Sequence, residues 1–256
     1  MDVRFACTQC GLCCQNLKLP LTVAETIDWL ADGNAVQIIC DALPSSNEPA
    51  ADDHKAVYRR RRSFAAVSGA MPAQVAVILA ASFVGKCPNL MADSRCGIYA
   101  RRPLVCRVYP AEINPFITLE PRLKVCPPEA WAAEAPLLQR DGVLTDEAVR
   151  RDVERSRDAA ARDAHVKARL CAALGIDSAA VADEGFVVYS PDRVLLLNQI
   201  GRAAAAGGEI PPRSWTFVSN RAETAASIAA TGAVSSLVRD GDTRPYQYLG
   251  FKATAA

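Results

Sequence analysis

The sequence has none of the usual marks of export or membrane insertion. Its opening, MDVRFACTQC, has no apolar core. No later stretch approaches the roughly eighteen uncharged apolar residues of a membrane span. The expected location is therefore the cytoplasm. Net charge is also nearly absent: 29 Lys plus Arg against 28 Asp plus Glu leave +1. That argues against a generally basic nucleic-acid binder, and no nucleic-acid partner is expected. There are only 2 histidines. His54 and His165 have no histidine four residues away, so they read as surface residues and not as a helical pair of ligands. G-x-S-x-G, Walker-A and H-E-x-x-H patterns are missing, and no G-x-G-x-x-G follows an expected strand.

What is present in excess is cysteine, 10 in 256 residues. Half the residues are hydrophobic and 22% are charged, the balance of an ordinary globule able to bury a core. In a reducing compartment such thiols read as metal ligands or redox groups more readily than as a disulfide framework. All except Cys171 lie before residue 130. This asymmetry implies a cysteine-rich region over 1–130 and a second region over 131–256.

Regular structure is expected mainly in that second region. Thr145-Asp146-Glu147 is a good helix start and Gly175 a good stop, with Val149, Val153, Val166, Leu170 and Leu174 forming a stripe between them. Asn220 to Val238 reads as an Ala-rich helix ended by Asp240-Gly241, and Ala203–Gly208 as a turn region. Phe186–Ser190 and Trp215–Ser219 read as short strands. Earlier in the chain, Thr22 with Glu25 forms a capping box for a helix to about Ala31. Residues Leu43 to His54 read as an exposed loop. Val75 to Val84 is a buried strand or helix, and Lys86 to Pro128 is too interrupted for long elements. The run Arg59–Arg62 reads as a solvated loop, with a grip on an acidic partner or a phosphate backbone as the alternative. Trp29, Trp131 and Trp215 read as core, and Tyr99 and Tyr109 as packing around a metal site. The expected fold class is α+β and α-rich: an irregular, metal-organised cysteine-rich domain followed by a mostly helical region.

The thiol spacing carries the chemistry. Cys7, Cys10 and Cys13 follow at three-residue intervals, which a helical or 3₁₀-like turn brings together. Gly11 permits a tight turn. Converging thiolates repel unless a cation or cluster neutralises them. Cys14, adjacent to Cys13, is expected to point elsewhere, to another site or another atom of one cluster. Cys87 and Cys126 each precede a proline, and a ferredoxin-type run likewise pairs close cysteines with a Cys-Pro. Four thiolates around Zn²⁺ or an oxidised four-iron cluster carry a net charge of about −2. Arg95, Arg101, Arg102, Arg107 and Lys86 stand near enough in sequence to offset it. Cys40 and Cys171 read as small buried hydrophobes.

Cys7-Thr-Gln-Cys10-Gly-Leu-Cys13-Cys14, Gly85-Lys86-Cys87-Pro88-Asn89-Leu90 and Cys96-Gly97-Ile98-Tyr99 through Arg101-Arg102-Pro103 to Cys106-Arg107-Val108-Tyr109-Pro110 resemble the signature of the CxxCxxCC family of zinc- or iron-chelating domains. With Cys126, these segments supply the eight cysteines of that family's pattern. The resemblance covers about residues 1–130. It implies metal binding through Cys7, Cys10, Cys13, Cys14, Cys87, Cys96, Cys106 and Cys126, with an iron–sulfur cluster (4Fe-4S favoured) or zinc. A more distant resemblance to flagellin lysine-N-methylases implies a protein or peptide substrate and S-adenosylmethionine. The alternatives are a structural zinc-binding interaction module and a metal chaperone or sensor without catalysis.

Overall fold

The computed structural model describes residues 2–45, 48–208, 210–239 and 241–251. In chain order the strands are β1 (Val3–Arg4), β2 (Lys18–Leu21), β3 (Val36–Pro44), β4 (Ser63–Ser68), β5 (Met71–Ser82) and β6 (Leu137–Arg140). They continue with β7 (Val143–Leu144), β8 (Ser178–Val181), β9 (Gly185–Tyr189), β10 (Thr216–Ser219), β11 (Ser235–Leu237) and β12 (Gln247–Gly250). The helices are α1 (Val23–Ala31), α2 (His54–Arg61), α3 (Leu104–Val108), α4 (Glu147–Arg162), α5 (Ala164–Leu174), α6 (Arg193–Ala205) and α7 (Ala222–Ala230). The class is α+β.

The chain forms two compact units, each discontinuous in sequence. Unit 1 comprises Met1–Leu21 and Ala81–Ala159; unit 2 comprises Thr22–Ala80 and Ala160–Ala256. The change in cysteine content near residue 130 therefore falls inside unit 1 and does not separate the compact units.

Unit 2 is built on a mixed sheet in the order β11-β10-β8-β3-β5, with β4 on β5, β9 on β3 and β12 on β9. β3 is buried on both faces, as its run Val36, Ile38, Ile39, Cys40 and Ala42 requires. It pairs in parallel with β8 (Asp41↔Ala180) and antiparallel with β9 (Ile38↔Tyr189). Leu30, Ile38, Leu79, Leu170, Leu196, Ile200 and Phe217 are fully buried. Each stabilises the fold by roughly 1.5–3 kcal/mol relative to exposure. At the start of α1, Thr22 accepts from the Glu25 N–H and Glu25 from the Thr22 N–H, so the capping box forms as expected.

Unit 1 has little regular structure: a β1-β6-β7 ribbon, β2, α3 and most of α4. Val3, Leu119 and Leu138 form one cluster, with Phe5 and Trp131 packed against it. Val108, Ala111 and Val153 form another, with Ile113 and Val149 beside them. The Arg157 Nε donates to the Ile113 carbonyl at 2.8 Å, tying α4 to the loop before it.

Several expectations need correction. The region after residue 130 is not mostly helical, because β6 to β12 all lie there. The expected helix from Thr145 to Gly175 breaks between α4 and α5 at Asp163, whose carboxylate accepts the Val23 N–H at 2.7 Å. The Asn220–Val238 helix stops early: after α7 the chain turns at Gly232 (φ +82°) and 235–237 pairs in parallel with β10. Asp240, named as its terminus, lies outside the described residues, as do 46 and 47 of the expected 43–54 loop. That loop begins in β3, and its final residue, His54, opens α2. Ala203–Ala205 completes α6 instead of a turn, and Val75–Val84 resolves as strand up to Ser82. The arginine run lies on and just past α2, not in a loop. There Arg59 forms an ion pair with the buried Asp41 at 3.0 Å, and the Arg62 guanidinium lies 4.2 Å from the Tyr58 ring centroid.

Candidate metal centre

The cysteine loop at the start of the chain is held from two sides within unit 1. On one side, the Cys87 N–H donates to the Cys14 carbonyl at 2.8 Å and the Asn16 N–H to the Gly85 carbonyl at 2.8 Å. A bridge pairs Gln15 with Lys86, and Asn16 Oδ1 accepts the Gly85 N–H at 2.7 Å. On the other side, the Phe5 and Ala6 N–H groups donate to the Pro136 and Ala130 carbonyls at 3.0 and 2.8 Å. Phe5 packs on Trp131 with ring centroids 5.0 Å apart. The loop carrying Cys7 to Cys14 is thus clamped between the segments that carry Cys87 and Cys126.

Only Leu12–Cys14 of the CxxCxxCC run is helical, a single 3₁₀ turn. Gln9 (φ +55°) and Gly11 (φ +72°) are left-handed, so Cys7, Cys10 and Cys13 do not share one helical turn as the spacing predicted. Gly11 is required sterically as well as conformationally. A Cβ there would lie 2.7 Å from the Ser94 carbonyl oxygen.

Cys87 and Cys96 sit in a folded-back loop in which Leu90 bridges to Cys96 and the Gly97 N–H donates to the Asn89 carbonyl at 2.8 Å. Cys106 lies on α3, which starts at Pro103 because proline suits a helix entry. Cys126 stands beside Tyr109, whose hydroxyl accepts the Val125 N–H at 3.1 Å and hydrogen-bonds the Cys126 sulfur. Tyr109 thus supports a thiol.

These thiols perturb one another. A hydrogen bond from Cys14 lowers the Cys13 pKa to about 7, against burial, with help from the Arg102 guanidinium. The same hydrogen bond, then burial and the nearby Cys13, Cys87 and Cys106, push Cys14 far up. Burial and then Cys13 and Cys87 raise Cys106 to about 12. Burial raises Cys87, which also feels Cys96 and Cys13. Cys126 is raised by burial and feels Cys13, Cys10 and Cys7. Cys13, Cys14, Cys87 and Cys106 therefore lie near enough to influence one another's ionisation. Cys14 is influenced by Cys13, Cys87 and Cys106.

Among the arginines, Arg102 acts on the thiols directly and is anchored by donation to the Tyr99 carbonyl at 3.0 Å. Arg107 holds the Arg102 carbonyl at 2.8 Å, and Arg95 pairs with Asp93 at 2.6 Å. Among the described residues, no three His, Cys, Asp or Glu side chains already stand in metal-holding geometry. The donor chemistry nonetheless fits a thiophilic ion or cluster. The Asn89 Nδ2, in the loop of Cys87 and Cys96, is buried without a hydrogen-bond partner among the described residues. A thiolate- or sulfide-rich centre provides the acceptor it lacks.

Spacing alone missed two relations. Cys40 and Cys171 are both buried, as expected, but their thiols hydrogen-bond each other between β3 and α5. The support of Cys126 by Tyr109 was likewise invisible in the sequence.

Residues 6–127 match the model of the CxxCxxCC family, described as a putative zinc- or iron-chelating domain. Comparison with curated proteins and with solved structures finds no match.

Proposed function

We propose that this chain, which over residues 6–127 belongs to the CxxCxxCC family, holds a four-iron, four-sulfur cluster or, failing that, zinc. The ligands are drawn from Cys7, Cys10, Cys13, Cys14, Cys87, Cys96, Cys106 and Cys126. The observation that carries this reading is the pairing of the first cysteine segment with the second, the Cys87 N–H donating to the Cys14 carbonyl at 2.8 Å, and Cys13 and Cys87 in turn act on Cys106 of a third segment. A thiol at about pKa 7 beside a partner held far above it is a pair sharing one proton. A cation that displaces that proton binds both sulfurs, and metal binding releases protons for this reason. The ferredoxin-like CTQCGLC run with Cys-Pro at Cys87 and Cys126 favours iron–sulfur over zinc. When bound, such a group supplies electron transfer or Lewis-acid chemistry. Arg102 and the Asn89 amide then offset and solvate its negative charge.

A second reading, an exchangeable metal store or sensor, draws support from exposure. Seven of the eight cysteines are only half-buried and Cys7 is exposed. Modification of a protein or peptide with S-adenosylmethionine is the catalytic extension of the first reading. Calorimetric titration of S-adenosylmethionine into metal-loaded protein tests it, and no binding heat removes it.

The deciding experiment is anaerobic purification with elemental and acid-labile sulfide analysis, followed by electron paramagnetic resonance of the reduced form. Iron and sulfide in equal amounts, with a signal that disappears in Cys13→Ala, support the cluster. Colourless protein with stoichiometric zinc overturns it in favour of the zinc reading, and protein that takes up neither metal overturns both.

A further inference from the structure

We propose that unit 2 carries a binding site, separate from the thiols of unit 1, for a small organic anion with a flat apolar body. A cavity of about 330 Å³ opens among α2, β4, β5, α5 and the segment leading into β10. That is within the size range of small-molecule sites. Its wall carries the guanidinium-bearing Arg60, Arg169 and Arg213 and the imidazole of His165, with no Asp or Glu among the described residues that line it. An excess of positive charge of this kind around one concave space attracts an anion.

The cations differ in how they are held. Arg169 donates Nε to the Ala203 carbonyl at 2.9 Å and Nη1 to the Gly208 carbonyl at 3.0 Å, which fixes its guanidinium plane. Arg60 is engaged by Glu48, whose side chain is 78% exposed. So exposed an ion pair contributes little and yields to a competing anion. Arg213 is itself exposed, but its backbone is fixed: its carbonyl accepts the Val67 N–H at 2.9 Å, and the Trp215 N–H returns to the Val67 carbonyl at 2.8 Å.

Another part of the lining is apolar and aromatic. Phe64 and Trp215 lie with ring centroids 5.8 Å apart, inclined at 57°, and Ile176 and Ile210 complete the surface. Inorganic phosphate would satisfy only the cations, and a neutral hydrocarbon only this wall. The combination selects a ligand that carries a carboxylate, sulfonate or phosphate on a planar apolar group.

The test uses full-length, metal-loaded protein and three probes: 8-anilinonaphthalene-1-sulfonate, its uncharged counterpart N-phenyl-1-naphthylamine, and inorganic phosphate. The sulfonate is expected to bind once per chain and at least about tenfold more tightly than either of the others. Arg213→Glu should weaken it by a similar factor with unchanged thermal unfolding and metal content. Arg155→Glu, on α4, should leave it unaltered. If Arg213→Glu misfolds, Arg213→Gln carries the same comparison. Equal affinity for the charged and uncharged rings, or binding indifferent to Arg213, overturns the proposal.

Discussion

At the scale of single residues, the Cys13–Cys14 pair has the most direct consequences. The fold lowers the Cys13 pKa from 9.0 to about 7, so it favours the thiolate there. That contribution is fully present above 9.0 and is lost as pH falls through about 7. Cys14 is shifted the other way, so ionising it opposes folding once pH passes its ordinary value of 9.0. Reduced, metal-free protein should therefore gain stability from pH 6.5 to 8.5 and lose it again by pH 10.5, as urea unfolding at the three values would report. In Cys13→Ser the rise between the first two should flatten. Lys167 offers a second residue-scale prediction, away from the thiols. It is almost completely buried on α5, and burial lowers its pKa despite the nearby Asp163. Holding that charge destabilises the fold at neutral pH. Lys167→Met should raise the melting temperature at pH 7, and its advantage should shrink as pH climbs past 10.5, above which the lysine is neutral in the unfolded as well as the folded state. Much at this scale was legible in the sequence. A spacing such as C-x-x-C-x-x-C-C has no packing purpose, whereas the Cys40–Cys171 contact depends on where β3 and α5 come to lie and leaves no local trace.

At the scale of elements, local signals were reliable where side chain and backbone meet within one turn. The Thr22–Glu25 capping box was readable because its partners are three residues apart, and it forms with Thr22 N to Glu25 Oε2 at 2.9 Å. Thr22→Ala should destabilise the protein by about 1 kcal/mol, measurable as a lower urea midpoint with unchanged slope. Signals failed where a distant residue decides. The interruption at Asp163 coincides with its carboxylate accepting the distant Val23 N–H, and residues 235–237 become a strand because β10 lies alongside. Gly11 joins the two cases, since its left-handed backbone is local while the Ser94 carbonyl that excludes a Cβ is not. At Gly33, with φ +88°, an added methyl group would meet nothing within 4 Å. Gly11→Ala should therefore cut metal content sharply, whereas Gly33→Ala should only lower the melting temperature. Metal analysis of the two variants side by side checks this.

At the scale of the whole molecule, the eight candidate ligand cysteines lie in unit 1, whereas β3, β4 and β8 to β12 of the large sheet lie in unit 2. Unit 1, with short elements and two small apolar clusters, has few other means of fixing its loops. Binding energy at such a centre is folding energy. Chelation should lower the unfolding temperature of unit 1 and leave that of unit 2 in place, so calorimetry should resolve two transitions from one. A single transition that does not move on chelation would show that the metal stabilises neither unit.

If the thiols of unit 1 hold the metal, sulfur alone, drawn from separated segments, surrounds it. X-ray absorption at the iron or zinc edge of anaerobically loaded protein reads that environment directly. The expected spectrum shows a first shell of sulfur, at about 2.3 Å for zinc, with iron–iron scattering added if a cluster is present. A first shell of oxygen or nitrogen would contradict the assignment of these cysteines as ligands.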